Sequence, residues 1–246
     1  MIRVVTLDFW HTLFADTADS LRRAHAFRLD GVRTTLAESG HRFEASELSG
    51  ADGRASEALN AVWGEHRDVA AADQLRMLLG MLDPTLPGAL GSAALDRVAR
   101  AYQEPALTHR PAITPRAAEA VHALRSRGLA LGLISNTGRT PGRVLRRLLQ
   151  DAGILACFDV LVFSDEAGVR KPAAAIFRRA LDPLGADPSS AVHVGDDAVS
   201  DVAGARGVGM RAIHYVPEPS AAGAEADAVL RSFADLPATV ARLGVP

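Results

Sequence analysis

Short aliphatic runs that stop abruptly at polar residues alternate, over most of this chain, with stretches whose apolar positions recur three and four apart. Residues 2 to 7 form the first run, ending in Val4-Val5-Thr6-Leu7, and predict a buried strand that gives way at Asp8. Further on, the pattern predicts a helix over 115–127 closed by Gly128, a strand over 129–134, a helix over 141–152 closed by Gly153 and a strand over 159–163. A helix over 173–184, a strand over 190–194, a helix over 199–206 and a strand over 210–214 follow. Strands alternating with helices of this length predict a parallel sheet covered on both faces, an α/β doubly wound core. Between about 15 and 108 the rhythm is helical throughout, as in Leu21-Ala24-Ala26-Leu29-Val32-Leu36 and Leu75-Leu78-Leu79-Leu82. Pro84 and Pro87 punctuate that segment, and its connections to the core fall near Ala15 to Thr17 and Glu104 to Pro111. The expected organisation is therefore a core of residues 1–14 and 110–246, interrupted after its first strand by an all-helical insert over 15–109. No internal repeat is visible, and Ala221 to Ala228 reads as an alanine-rich linker.

Composition narrows the function. With 246 residues and 48% hydrophobic side chains, the chain has ample material for a packed interior. Its net charge of -2 supplies no basic field for nucleic acid or an anionic membrane. Apolar runs such as Leu129 to Ile134 fall far short of the roughly 20 residues that span a bilayer. One cysteine, Cys157, excludes an intramolecular disulfide, and no leader pattern precedes the first strand, so a cytoplasmic location is expected. Of 27 basic residues only Lys171 is a lysine, which makes it conspicuous.

Four polar clusters follow predicted strands: Asp8 to Thr12, Ser135-Asn136-Thr137, Arg170-Lys171-Pro172, and Asp196-Asp197 with Asp201. Strand ends along one edge of a parallel sheet converge on a shared cleft. Asp8, Asp196 and Asp201 together would set three negative charges against the single Lys171, and unpaired carboxylates raise one another's pKa values. A divalent cation would neutralise the remaining two charges, and an oxygen-only ligand set favours Mg²⁺.

With these four motifs in order, the chain resembles the haloacid dehalogenase superfamily of hydrolases: a Rossmann-like core with a helical cap inserted after the first motif. Asp8 with Thr12-Leu13 is similar to the first motif, Leu133-Ile134-Ser135-Asn136 to the second, Lys171-Pro172 to the third, and Val194-Gly195-Asp196-Asp197 to Asp201 with Gly204-Ala205 to the fourth. The resemblance implies Asp8 as nucleophile, Ser135 and its neighbouring amides as holders of the transferring group, and Lys171 as the charge that screens both. It implies Mg²⁺ held by Asp8, Asp196 and the main-chain carbonyl of Trp10, with Asp201 orienting Lys171 or a metal-bound water. Thr12 and Asn136 fall in the same catalytic set.

Trp10 departs from the family pattern. The phosphatases carry a second aspartate there, which protonates the leaving oxygen and later activates water, help worth about 10²- to 10⁴-fold. Its absence favours leaving groups that depart as anions: acyl phosphates, aryl phosphates or halide. Phosphonate cleavage is disfavoured, because it uses a cap lysine and residues 14 to 170 contain none. A dehalogenase-like reading pairs an aromatic at this position with a cap arginine such as Arg22 or Arg23, yet that chemistry needs no metal. His11 is a candidate substitute acid; in an extended chain its side chain would face away from Asp8, while Trp10 would return to the nucleophile's side.

Other residues have plainer readings. Arg22, Arg23 and Arg28 read as a solvated helix face from which one reaches a substrate anion, Asp197 as a turn residue, and His193 as a satisfied core histidine. The remaining histidines lack zinc-ligand spacing. The sequence thus predicts a Mg²⁺-dependent phosphohydrolase acting on a small phosphorylated metabolite, as a monomer or homodimer. A carbon-halogen hydrolase acting on a halogenated acid, and a non-catalytic binder of a phosphometabolite or partner, are the alternatives.

Overall fold

The computed structural model describes residues 1–217 and 225–244; the first half of the expected linker at 221–228 lies outside them. The core strands are β1 (Val4–Leu7), β4 (Ala130–Ser135), β5 (Val160–Phe163), β6 (Ala191–Gly195), β7 (Arg211–Tyr215) and β8 (Ala228–Leu230). They form one parallel sheet in the order β5-β4-β1-β6-β7-β8. Its two faces follow from side-chain alternation. Val5, Leu7, Leu131, Leu133, Val192 and Val194 pack with α7 (Ala117–Ser126), α8 (Gly142–Asp151) and α12 (Leu236–Leu243). On the opposite face Val4, Ile134 and Ala191 pack with α10 (Ala174–Leu181) and α11 (Gly204–Gly207).

The segment expected to be helical holds α1 (Ala18–Glu38), α2 (Ala45–Gly64), α3 (Ala71–Leu82), α4 (Leu86–Ala89), α5 (Ser92–Gln103) and α6 (Pro105–Thr108). These helices build a core of their own from Val32, Leu36, Leu48, Leu75, Leu78, Leu79, Val98 and Tyr102. Only the C-terminal half of α1 joins that core. The apolar positions of its first turns do not: Leu21 is 49% exposed, and with Ala24 it borders a cavity facing the sheet.

Where the chain enters and leaves the helical segment, β2 (Phe14–Ala15) and β3 (Ala112–Ile113) pair antiparallel. Thr114 seals the crossing: its amide donates to Leu13 O at 2.9 Å and its hydroxyl to Thr12 O at 2.6 Å. Both connections are thus tied to the loop that carries Asp8. Three expected helices differ in detail. That over 115–127 begins at Ala117 because Arg116 sits at φ +66°, outside helical space. The one over 173–184 ends its α-helical hydrogen bonding at Leu181 and closes in a 3₁₀ turn over Asp182–Leu184. The one over 199–206 splits into a wide π turn, Ala198–Ala203, and α11.

Candidate active site

β1 lies between β4 and β6 with Leu7 level with both Leu133 and Val194. The three strands therefore end together, delivering Asp8, Ser135 and the Gly195-Asp196 pair to one edge of the sheet. The Asp8 amide continues the ladder, donating to Val194 O at 2.9 Å. Lys171 reaches this edge after β5 and the short helix α9 (Ser164–Ala167). Its backbone is gripped by Asn136, whose Oδ1 accepts from Lys171 N at 2.8 Å while its Nδ2 donates to Lys171 O at 3.1 Å. Asn136, expected in the catalytic set, thus fixes the loop that presents the lysine.

The ammonium of Lys171 donates to Asp8 Oδ1 and to Asp201 Oδ1, each at 2.5 Å, and all three side chains are buried. Asp201 has further partners. Its Oδ2 accepts from the Asp197 amide at 3.0 Å, and its Oδ1 accepts from His193 Nε2 at 3.0 Å, the other ring nitrogen of His193 meeting the Thr6 hydroxyl at 2.8 Å. Burial pushes the His193 pKa down, so the ring is neutral and the contact is a hydrogen bond. His193 is the satisfied core histidine expected, and it also braces the site through Asp201. That link was open to sequence reasoning: Thr6 and His193 are polar residues inside otherwise apolar strands, and they stand at the same register.

Asp201 packs so tightly on the fourth motif that a Cβ at Gly195 would lie 2.2 Å from its Cγ. Only glycine fits there. Asp196, half-buried, accepts from the Thr12 hydroxyl at 3.2 Å, so Thr12 aims this carboxylate. Asp197 caps the π turn through the amides of Val199 and Ser200, as a turn residue does. Ser135 is fully buried, and its Oγ hydrogen-bonds no described residue.

Oxygens of Asp8, Asp196 and Asp201 lie within 4.8 Å of one another. One ammonium cannot satisfy all three. Burial pushes Asp201 up, but Lys171 and His193 outweigh it and hold Asp201 below the usual carboxylate range. Asp8 shares Lys171 without those extra donors, and burial drives its pKa up to about 8. Burial and the charge of Asp201 raise Asp196 as well. Lys171 is desolvated too, yet the two carboxylates keep it protonated.

The loop between Asp8 and β2 is a turn rather than an extended strand, and this corrects the expected alternation of side chains. His11 sits at φ +56°. Its amide donates to Phe14 O at 2.6 Å, and Phe14 N donates to Phe9 O at 2.9 Å. Phe9 is buried, stacked on Phe14 and edge-on to Trp10. Trp10 and His11 consequently both line a cavity of about 380 Å³ beneath the helical segment, together with Asn136. His11 is close enough to Asp196 for a protonated imidazole there to favour the ionised carboxylate.

The arginines distribute differently from expectation. Arg22 and Arg23 are exposed, pair with Asp19 and do not border the cavity. Arg28, expected on the solvated face, is buried and lines it. The 3.6-residue rhythm locates a helix face but not the neighbour that covers it, and Arg28 falls in line with Leu21 and Ala24 on the face turned to the core. No helix among the described residues is long and apolar enough to cross a membrane.

A model of the haloacid dehalogenase-like hydrolase family matches residues 2–209. Over 117 residues the chain is 40% identical to haloacid dehalogenase-like hydrolase domain-containing protein 3 of Xenopus laevis, covering 48% of this chain and 46% of that protein. Over 89 residues it is 42% identical to a phosphoserine phosphatase of Thermus thermophilus, covering 36% and 34% respectively. The matched stretches thus span less than half of these relatives. Along its whole length the fold is similar to a 2-haloacid dehalogenase of Pseudomonas syringae pv. Tomato, with TM-score 0.72, 29% identity, and 98% of this chain and 99% of that one covered.

Proposed function

The chain belongs to the haloacid dehalogenase-like hydrolases, and from that premise we propose that it is a Mg²⁺-dependent phosphohydrolase acting on a small phosphorylated metabolite through Asp8. The observation that carries this reading is the charge deficit at the sheet edge, where three carboxylates converge on one ammonium that is divided between two of them. A buried carboxylate with a pKa near 8 is a poor nucleophile until more positive charge arrives. The donor set fits a hard divalent cation, since it consists of oxygens alone. Asp8, Asp196 and the carbonyl of Trp10 would hold it, and when bound Mg²⁺ would withdraw charge from the phosphoryl oxygens.

The remaining roles fall to the chain's own residues. Asp8 attacks phosphorus, the bond to the leaving oxygen breaks, and an aspartyl-phosphate forms; water then attacks that phosphorus and releases phosphate. Ser135, with an unspent hydroxyl, donates to a phosphoryl oxygen. Lys171, aimed by Asp201 and held by Asn136, balances the charge that develops. The helical segment acts as a cap over the cleft. Trp10 cannot transfer a proton, so substrates whose leaving groups depart as anions are favoured, and His11 is the lining residue next in the chain that can carry one. Acetyl phosphate or p-nitrophenyl phosphate should turn over with Mg²⁺, stop in EDTA and stop in Asp8→Asn. Failure of both substrates with Mg²⁺ present refutes the reading.

A second reading is favoured by Trp10 together with the likeness to a 2-haloacid dehalogenase. There Asp8 displaces halide from carbon, a step that needs neither acid nor metal. Halide release from 2-haloacids in the presence of EDTA distinguishes it from the first.

A further inference from the structure

Arg28 lies only 9% exposed against the cavity, a costly place for a cation without an ionic partner. Its Nε donates to Tyr102 O at 2.7 Å, and its guanidinium lies 5.8 Å from the centroid of the Tyr102 ring. No described residue accepts a hydrogen bond from either of its Nη groups. Arg139 enters the same cavity from the loop after β4. One of its Nη groups donates to Ser56 on α2, whereas its buried Nε donates to nothing and stands 3.6 Å from Asp52 Oδ1. That oxygen is itself without a hydrogen bond, and the buried Tyr102 hydroxyl lies close enough to Arg139 to interact with its guanidinium.

Asp52 is therefore the ionic partner of Arg139, with His25 approaching it at 3.7 Å, whereas Arg28 forms no ion pair and only feels the charge of Asp52 at a distance. The other cavity arginine is accounted for differently. Arg170 is paired with Asp68 at 3.0 Å and lies over the face of Trp63. Asp16, the carboxylate among the lining residues, is partly exposed and accepts from the Ser20 hydroxyl. The surplus positive charge and the unspent donors thus lie on Arg28 and Arg139. Trp10, His11 and Asn136, chain neighbours of the phosphoryl site, line the same cavity.

We propose that Arg28 and Arg139 form a second anion subsite, which selects substrates bearing a carboxylate or a second phosphate besides the group transferred to Asp8. Planar forks of N–H donors suit both anions, and in a desolvated cavity each charge-assisted bond counts for more than in water. The proposal rests on the phosphohydrolase reading and adds the substrate class to it.

Calorimetric titration of the full chain in an Asp8→Asn background, with Mg²⁺ present, tests the subsite without turnover. The probes are ethyl phosphate, 2-phosphoglycolate and 1,2-ethanediol bisphosphate. At least one of the two doubly anionic probes should bind about tenfold or more tightly than ethyl phosphate, and which one does so tells carboxylate from phosphate. Arg28→Gln and Arg139→Gln should each erase that margin, and Arg28→Lys should keep part of it. Equal affinity for all three probes, or a margin that survives both glutamine variants, overturns the subsite alone. Failure of every probe to bind overturns the subsite, while the phosphohydrolase reading is decided separately, by Mg²⁺-dependent turnover of acetyl phosphate or p-nitrophenyl phosphate in the unsubstituted chain. If Arg28→Gln does not fold, the margin before that change and its response to Arg139→Gln still decide.

Discussion

Trp10 stands two residues beyond Asp8, the proposed nucleophile, packed edge-on against Phe9 and lining the cavity, where it cannot move a proton. On the proposed reading Lys171, Asp201 and Ser135 serve phosphoryl transfer, and what Trp10 leaves out is acid-base help. Restoring a carboxylate by Trp10→Asp should raise kcat/KM for an alkyl phosphate about tenfold or more. p-Nitrophenyl phosphate, whose leaving group needs no proton, should gain far less. Equal gains on both, read from steady-state kinetics, would place the effect in packing rather than in proton transfer. Asp8 and Asp196 were legible as residues because each follows an apolar run, and Lys171 because it is the chain's one lysine. The environment of Arg28 was not, since burial depends on which helix face meets the core.

Parallel strands buried on both faces read as continuous apolar runs, which is why β1, β4, β5, β6 and β7 could be placed from sequence. β8 spans three residues and follows the alanine-rich stretch, while β2 and β3 have two residues each, too short to show a period. Their pairing nonetheless ties both connections of the helical segment to the Asp8 loop. The end of β6 is equally constrained, because Gly195 admits Asp201 where no Cβ can fit. Gly195→Ala should destabilise the fold by about 1–3 kcal/mol by overpacking, since Asp201 is pinned by Lys171, His193 and the Asp197 amide. Gly207→Ala, with nothing within 4 Å of the added methyl, is the control and should cost far less. Chemical denaturation of both variants measures the difference, and equal costs would show that Asp201 is free to shift.

Across the whole molecule, the sheet and the loops at its edge bring more negative than positive charge to one buried point. The consequence for pH follows from Asp8. Its carboxyl is raised from 3.8 to about 8 in the folded chain, so the stability it contributes is complete below the unfolded value and is lost as pH rises through about 8. A cation held by ionised Asp8 must first displace that proton, so Mg²⁺ should bind more tightly as pH rises and level off above about 8. The most direct measurement is the melting temperature of the full chain with and without saturating Mg²⁺, taken between about pH 6 and pH 9. The charge deficit predicts a stabilising shift that grows across this range and is lost, with its pH dependence, in Asp8→Asn. No shift at any pH, or one that Asp8→Asn leaves intact, would contradict the claim that these carboxylates form a cation site.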